Sequence, residues 1–306
     1  MTISGAIALT GATGFVGQAV LDEADIQGIE IRALTRREQK PRPGVTWIRG
    51  NLADREALSL LVEGVEAVIH VAGVVNTPDH AMFEQGNVTG TLNVVEAAKE
   101  AGVARFVHVS SLAAREPELS VYGASKHRGE KIVMASGLDW TIVRPPAVYG
   151  PRDTEIFELF RAAKWGVVPM PDTGRSSMIH VEDLARLLFA LVPAGEDARS
   201  MIFEPDDGVS GGWQHDDLAR AIGTATGRKV FVPRLSKGVL MGLSRAERLF
   251  RRGKAKLTAD RVNYMTHPDW VCSSDRAPPP GRWMPMVETN RGLRLTADWY
   301  RRAGWL

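Results

Sequence analysis

The chain has 306 residues, 44% apolar and 24% charged, with a formal net charge of +2 and one cysteine. That length fits about two domains and buries about three quarters of the unfolded surface, and Cys272 has no internal partner, which excludes a disulfide framework or a cysteine zinc site. Near-balanced charge gives no argument for nucleic acid, no apolar run reaches the length of a membrane span, and the run beginning at Ile3 follows no charged leader; the expectation is a cytoplasmic chain in a reducing compartment.

In chain order, Val- and Ile-rich runs at Ile3 to Leu9, Ile29 to Leu34, Val45 to Ile48, Ala67 to Val71, Phe106 to Val109 and Thr141 to Val143 read as strands. Their continuous apolar character predicts a parallel sheet covered on both faces. Between them the 3.6-residue period predicts helices over Phe15 to Ile26, Asp54 to Val62, about Ala81 to Ala101 and Val121 to Ser136, the last two stopped by Gly102 and Gly137. The fold class is therefore α/β: a doubly wound Rossmann-type sheet over residues 1–150, followed by a smaller α/β substrate lobe over 151–306. Some elements could be exchanged between the two.

Beyond Arg144-Pro145-Pro146 the alternation loosens. Helices are expected at Val181 to Leu191, Trp213 to Thr226, Leu235 to Arg251 and about Asn290 to Arg302, and the run Ala277-Pro278-Pro279-Pro280-Gly281 must be loop. From Arg228 to Arg261 eleven Lys or Arg face two acids, Glu247 and Asp260, while Leu235, Val239, Leu243, Ala246 and Phe250 recur at helical spacing. Two readings follow, a core helix with a solvated basic face or a peripheral membrane or anion contact through 228–261.

The sharpest N-terminal signal is Thr10-Gly11-Ala12-Thr13-Gly14-Phe15-Val16-Gly17 at the junction of first strand and first helix. Gly11 permits the turn, Gly14 lets backbone approach a pyrophosphate, Gly17 brings helix to sheet, and the helix start with Thr13, Phe15 and Val16 offers free N–H groups. The second strand ends in Thr35-Arg36-Arg37, where dinucleotide folds that bind a ribose 2′-OH carry a carboxylate. Two guanidinium groups suit a 2′-phosphate instead, so NADP(H) is expected over NAD(H).

After the fifth strand stands Ser110-Ser111, and Tyr122 and Lys126 follow, four residues apart and so on one helix face. An ammonium there lowers the phenol's pKa and bonds a cofactor ribose, the tyrosine is a competent acid or base, and Ser111 supplies a hydroxyl to the reacting oxygen.

These residues, with Gly50-Asn51-Leu52-Ala53-Asp54, His70-Val71-Ala72-Gly73, Asn87-Val88-Thr89-Gly90-Thr91, Arg144-Pro145 and Val148-Tyr149-Gly150-Pro151, make the chain resemble an extended or atypical short-chain dehydrogenase/reductase of the NAD-dependent epimerase/dehydratase kind. The segment Ile179-His180-Val181-Glu182-Asp183-Leu184-Ala185 is similar to the family's helix that returns towards the cofactor lobe. The resemblance implies Ser111, Tyr122 and Lys126 as catalytic residues, Asn51 and Leu52 near the adenine, Ala72, Gly73 and Asn87 along the cofactor, Pro145 near the nicotinamide amide, and a homodimer.

Departures narrow the chemistry. Asn51 replaces an aspartate, Leu112 and Ala113 replace the acidic pair of sugar dehydratases, and Cys272 lies far from any epimerase base position. Simple hydride transfer remains, on a sugar nucleotide, a hydroxysteroid-like molecule or another carbonyl compound. A nucleotide-sugar epimerase with retained NAD is the alternative, and a non-catalytic NAD(P)-binding regulator or accessory subunit is the rival from another class. His70, His108 and His180 fit no zinc spacing and read as hydrogen-bonded structural histidines, and no Gly-x-Ser-x-Gly elbow surrounds Ser111. The tryptophans, eight in the chain, cluster in the second lobe, among them Trp213, Trp270, Trp283, Trp299 and Trp305, mostly as core, with one or two suited to an apolar substrate pocket.

Overall fold

The computed structural model describes residues 3–193, 195–251 and 257–306. In chain order its first part holds β1 (Ile7–Thr10), α1 (Phe15–Gln27), β2 (Ile31–Thr35), β3 (Val45–Arg49), α2 (Arg55–Val62), β4 (Ala67–His70), α3 (His80–Phe83), α4 (Gly90–Glu100), β5 (Arg105–Val109), α5 (Val121–Met134) and β6 (Asp139–Val143). There follow β7 (Ala147–Tyr149), α6 (Phe157–Lys164), β8 (Met170–Pro171), β9 (Arg175–Ser176), β10 (Met178–His180), α7 (Val181–Ala190), β11 (Met201–Phe203), β12 (Trp213–Gln214), α8 (His215–Thr226), β13 (Arg234–Leu235), α9 (Lys237–Arg251), α10 (Ala259–Met265), β14 (Asp269–Trp270) and α11 (Thr289–Arg302).

The chain divides into two compact units, Met1–Arg144 with Leu184–Glu204 and Pro278–Met284, and Pro145–Asp183 with Pro205–Ala277 and Pro285–Leu306. The first unit carries a seven-stranded sheet in the order β11-β6-β5-β4-β1-β2-β3, every pairing parallel. This is the doubly wound Rossmann-type sheet that the apolar runs predict. Ala8, Val68, Phe106 and Ile142 are buried on one face against Leu58, Leu61, Val94 and Ala98, while Ile7, Leu9, Ile69 and Val107 are equally buried; burial on both faces is why those strands read as unbroken apolar runs. At the sheet edge, β3 is only half-buried. The side chains of Asp54 and Ser120 cap α2 and α5 by accepting from Ala57 N at 3.0 Å and Gly123 N at 2.9 Å. Arg105 ties the strand next to β6 in place, donating to Leu191 O at 3.0 Å and Asp139 O at 3.0 Å.

The expected single helix over Ala81 to Ala101 is instead α3, a π-helical stretch over Glu84–Thr89, and α4. Periodicity does not register one inserted residue, because the apolar positions on either side still face the sheet. In the second unit Tyr149, Phe160, Met178, Leu218, Ile222, Leu293 and Tyr300 share a core. Trp213 and Leu235, expected in helices, lie in β12 and β13, where two-residue pairings with β9 and β8 override their apolar spacing. Trp270 and Trp283 are buried as expected, but Trp283 belongs to the first unit and Trp305 is exposed. Residues 252–256 of the basic segment lie outside the described residues.

Candidate active site

The turn between β1 and α1 is built for close approach. Gly11 adopts φ +74°, and a Cβ there would sit 2.7 Å from Ala72 N; one on Gly17 would collide with Gly11 O, and one on Gly14 would lie 3.2 Å from it. At Gly11 and Gly17 only glycine fits this geometry. Gly14 is the N-cap of α1 and makes no side-chain cap bond, so the amides of Phe15, Val16 and Gly17 lack intrahelical acceptors and point their dipole at the turn, beside exposed Thr13. Such a cradle fits a pyrophosphate.

At the end of β2, Thr35 is buried and its hydroxyl donates to Arg37 O at 2.7 Å, folding the following turn. Arg36 and Arg37 are exposed, and neither has a carboxylate partner among the described residues. Asn51 Oδ1 accepts from Ala53 N at 2.8 Å, a local turn that leaves the carboxamide N–H₂ outward, and Leu52 O accepts from Asn93 Nδ2 at 2.7 Å. Asn93 was not legible as a site residue, since nothing in its spacing distinguishes it from a helix-surface asparagine.

Asn87 sits in the π-helical stretch, where the inserted residue turns its side chain inward. Its Nδ2 donates to Val74 O and Ser125 Oγ, both at 2.9 Å, and its Oδ1 accepts from Val74 N at 2.7 Å. A Cβ on Gly73 would lie 3.0 Å from Asn87 Oδ1 and 3.6 Å from Lys126 Nζ. The loop after β4, Asn87 and Lys126 therefore converge. Lys126 donates to Val109 O at 2.8 Å, which leaves two further N–H donors. Burial lowers its pKa to about 8, with Glu130 opposing.

Tyr122 lies one turn before Lys126 on α5, half-buried, its ring tilted against Phe83 with centroids 6.0 Å apart. Ser111 is buried and its Oγ accepts from Ala113 N at 3.2 Å, a bond that leaves its own proton unused. A Cβ on Gly123 would stand 2.7 Å from Ala113 O, and one on Gly129 2.6 Å from Asn87 O. Two glycines thus let α5 lie against the turn bearing Ser111 and the stretch bearing Asn87. Pro145, the remaining candidate, is buried at the start of the second unit.

Behind this surface is a charged network the sequence did not single out. Glu130 is fully buried, accepts from Ser110 Oγ at 2.5 Å, and forms a two-pronged pair with Arg144 at 2.8 and 2.7 Å. Arg144 Nη1 also lies 3.5 Å from Glu204 Oε1. Burial alone would lower the Arg144 pKa, but the bonds and charges of Glu130 and Glu204 leave it raised. The acids escaped notice because each sits alone in sequence, and only the fold brings them to one guanidinium.

His70 has the structural role expected. Ala72 N donates to Thr10 Oγ1 at 3.1 Å and Thr10 Oγ1 meets His70 Nδ1 at 2.7 Å; Nε2 meets Thr91 Oγ1 at 3.1 Å, and Thr91 donates to Asn87 O at 2.8 Å. Donor and acceptor counting assigns the proton to Nε2 of a neutral ring, in keeping with a pKa pushed down to about 3 by burial and by Lys126. His108 departs from expectation. It is buried and stacked on His70 with centroids 5.2 Å apart, yet neither ring nitrogen has a hydrogen-bond partner among the described residues. His180, in the second unit, is satisfied at Nδ1 by Glu182 N at 3.4 Å, while its Nε2 has no hydrogen-bond partner among the described residues.

The sequence profile of the NAD dependent epimerase/dehydratase family matches residues 7–202. This chain belongs to that family. It is 37% identical to a ceramide reductase of Caulobacter vibrioides over 99% of its own length and 96% of that protein's, and 27% identical to a 2-alkyl-3-oxoalkanoate reductase of Stenotrophomonas maltophilia, over 94% and 97%. Its fold resembles the Bordetella bronchiseptica enzyme WbmG, solved with NAD and UDP, at a TM-score of 0.76 and 20% identity, covering 99% of this chain and 97% of that one. It is therefore an enzyme-family chain of the short-chain dehydrogenase/reductase superfamily, with NAD(P) dependence.

Proposed function

We propose that the chain is an NADP(H)-preferring reductase of a carbonyl on a long-chain amide lipid of the ceramide type, with Tyr122 as the proton donor. The observation that carries the reductase chemistry is the convergence of Gly73, Asn87 and the buried Lys126 one turn from Tyr122. The likeness to a ceramide reductase across nearly the whole of both chains supports the substrate class.

The glycine turn, the free amides of α1 and the loop after β4 would hold the dinucleotide, with Arg36 and Arg37 against a 2′-phosphate. A dinucleotide held there would supply the hydride for the carbonyl carbon. Tyr122 gives its phenolic proton to the carbonyl oxygen as that carbon is reduced to an alcohol, Ser111 orients the same oxygen by hydrogen bonding, and Lys126 holds positive charge beside the phenol and stabilises the tyrosinate left behind. The purified protein mixed with NADPH and a keto-ceramide should form the hydroxylated lipid and NADP⁺ in equal amounts. Turnover with UDP-glucose and none with the keto lipid would overturn this reading.

A further inference from the structure

We infer that the second unit carries a docking face for an anionic lipid surface, centred on Trp165, Val167 and Phe231. Among the described residues Trp165 and Phe231 are the two most exposed of the large aromatic side chains, at 85% and 69%, and Val167 is 42% exposed. They form one patch. Val167 and Phe231 are bridged in parallel register, Phe231 N donates to Gly166 O at 2.8 Å, and Val168 N donates to Phe231 O at 2.9 Å. Parallel pairing puts Val167 and Phe231 on the same side of the ladder, and their chain neighbours take the other side: Val168 is fully buried in the core that Val230 and Val232 flank. Burial of alternate residues makes the outward orientation a built feature of the strand pair rather than loose loop.

Charge selects the occupant. Lys164, Arg228 and Lys229 border the patch in sequence, all are exposed, and none has a carboxylate partner among the described residues. The nearby cations that do have partners are neutralised: Arg161 by Glu158 at 3.0 Å, and Arg234 by Asp216 at 2.6 Å. Downstream of Arg234, α9 repeats the composition, with Val239 and Leu243 about half-exposed alongside exposed Gly242 and Ala246, while Leu240 and Ser244 take the buried side. Val239, Leu243 and Ala246, three members of this basic helix's apolar stripe, therefore face solvent, while the Phe250 side chain lies outside the described residues. Aromatic side chains ringed by unpaired cations match the boundary between headgroups and acyl chains of an anionic membrane. A second copy of the chain fits less well, since a two-fold contact would set Lys164, Arg228 and Lys229 against themselves. The utility of the face, collecting substrate from a bilayer, rests on the proposed lipid substrate; the docking itself does not.

The test is flotation of the full chain with phosphatidylcholine vesicles, with and without phosphatidylglycerol, at low and high salt, alongside its oligomeric state in solution. Binding should require phosphatidylglycerol, weaken with salt, and fall by about tenfold or more in both Trp165→Ser/Phe231→Ser and Lys164→Glu/Lys229→Glu. The exposed lysine variant guards against loss of folding in the aromatic one. No binding by the natural chain, equal binding by both variants, or a dimer that the substitutions dissolve would each overturn the proposal. None of these readouts involves turnover, so failure of the reductase reading would leave them unchanged.

Discussion

Lys126 Nζ donates to the backbone carbonyl of Val109 at 2.8 Å, fastening the middle of α5 to the end of β5. The bond fixes the ammonium under the turn that carries Ser111, and burial lowers its pKa to about 8. A buried lysine penalises the fold wherever the unfolded chain would be protonated and the folded one resists it. The penalty is full below about pH 8 and fades as pH rises towards the unfolded value near 10.5. Lys126→Met should therefore keep or raise the melting temperature at neutral pH while abolishing reduction. A large fall in melting temperature would show that the Val109 bond outweighs the desolvation.

Removing the phenolic hydroxyl deletes the proposed proton donor without touching the dinucleotide cradle. Tyr122→Phe should lower kcat by about 10²- to 10⁴-fold and leave NADPH affinity, read by tryptophan quenching, nearly as it was. Survival of turnover would reassign the acid.

Arg36 and Arg37 are exposed beside buried Thr35. A charge-assisted bond contributes about 1.5–3 kcal/mol, so replacing both with alanine should weaken NADPH by about tenfold or more and NADH hardly at all. Equal losses for the two nucleotides would remove the 2′-phosphate from the account.

Much of this site was legible before the fold was seen, because its chemistry is local: the glycine turn, the Tyr122 and Lys126 spacing, and Thr35-Arg36-Arg37 each occupy one short stretch. Asn87 was legible by resemblance, but its π-helical setting was not, since one inserted residue leaves the apolar period intact. Glu130, Arg144 and Glu204 were illegible as a group because long-range topology alone brings them together. The small strands of the second unit escaped for a related reason: two-residue pairings have no period to read.

Glu130 balances a buried guanidinium and receives the Ser110 hydroxyl. Glu130→Ala strands the Arg144 charge and should cost about 3–5 kcal/mol, seen as a shifted denaturation midpoint. A cost below about 1 kcal/mol would mean that Glu204 and solvent compensate.

His70, His108 and His180 all have pKa values lowered by burial, to about 3 for His70 and about 4 for His180. Each takes up a proton in the unfolded chain below about pH 6.5 and resists it in the fold, so stability is full above that pH and lost as pH falls. Asp153, raised to about 6 by burial, opposes one of the three by binding its proton earlier in the fold. Stability should therefore drop between about pH 6 and pH 4. His108→Leu, which removes a ring without hydrogen-bond partners among the described residues, should flatten that slope; an unchanged pH profile would exclude His108 as a contributor.

The most direct measurement mixes the purified chain with NADPH and a keto-ceramide in one reaction and with NADPH and UDP-glucose in another, following nucleotide oxidation and lipid product together. The account predicts oxidation matched by hydroxylated lipid in the first reaction, lost in Tyr122→Phe, and none in the second. An inert keto lipid, or conversion of UDP-glucose with NAD retained on the protein, would contradict it.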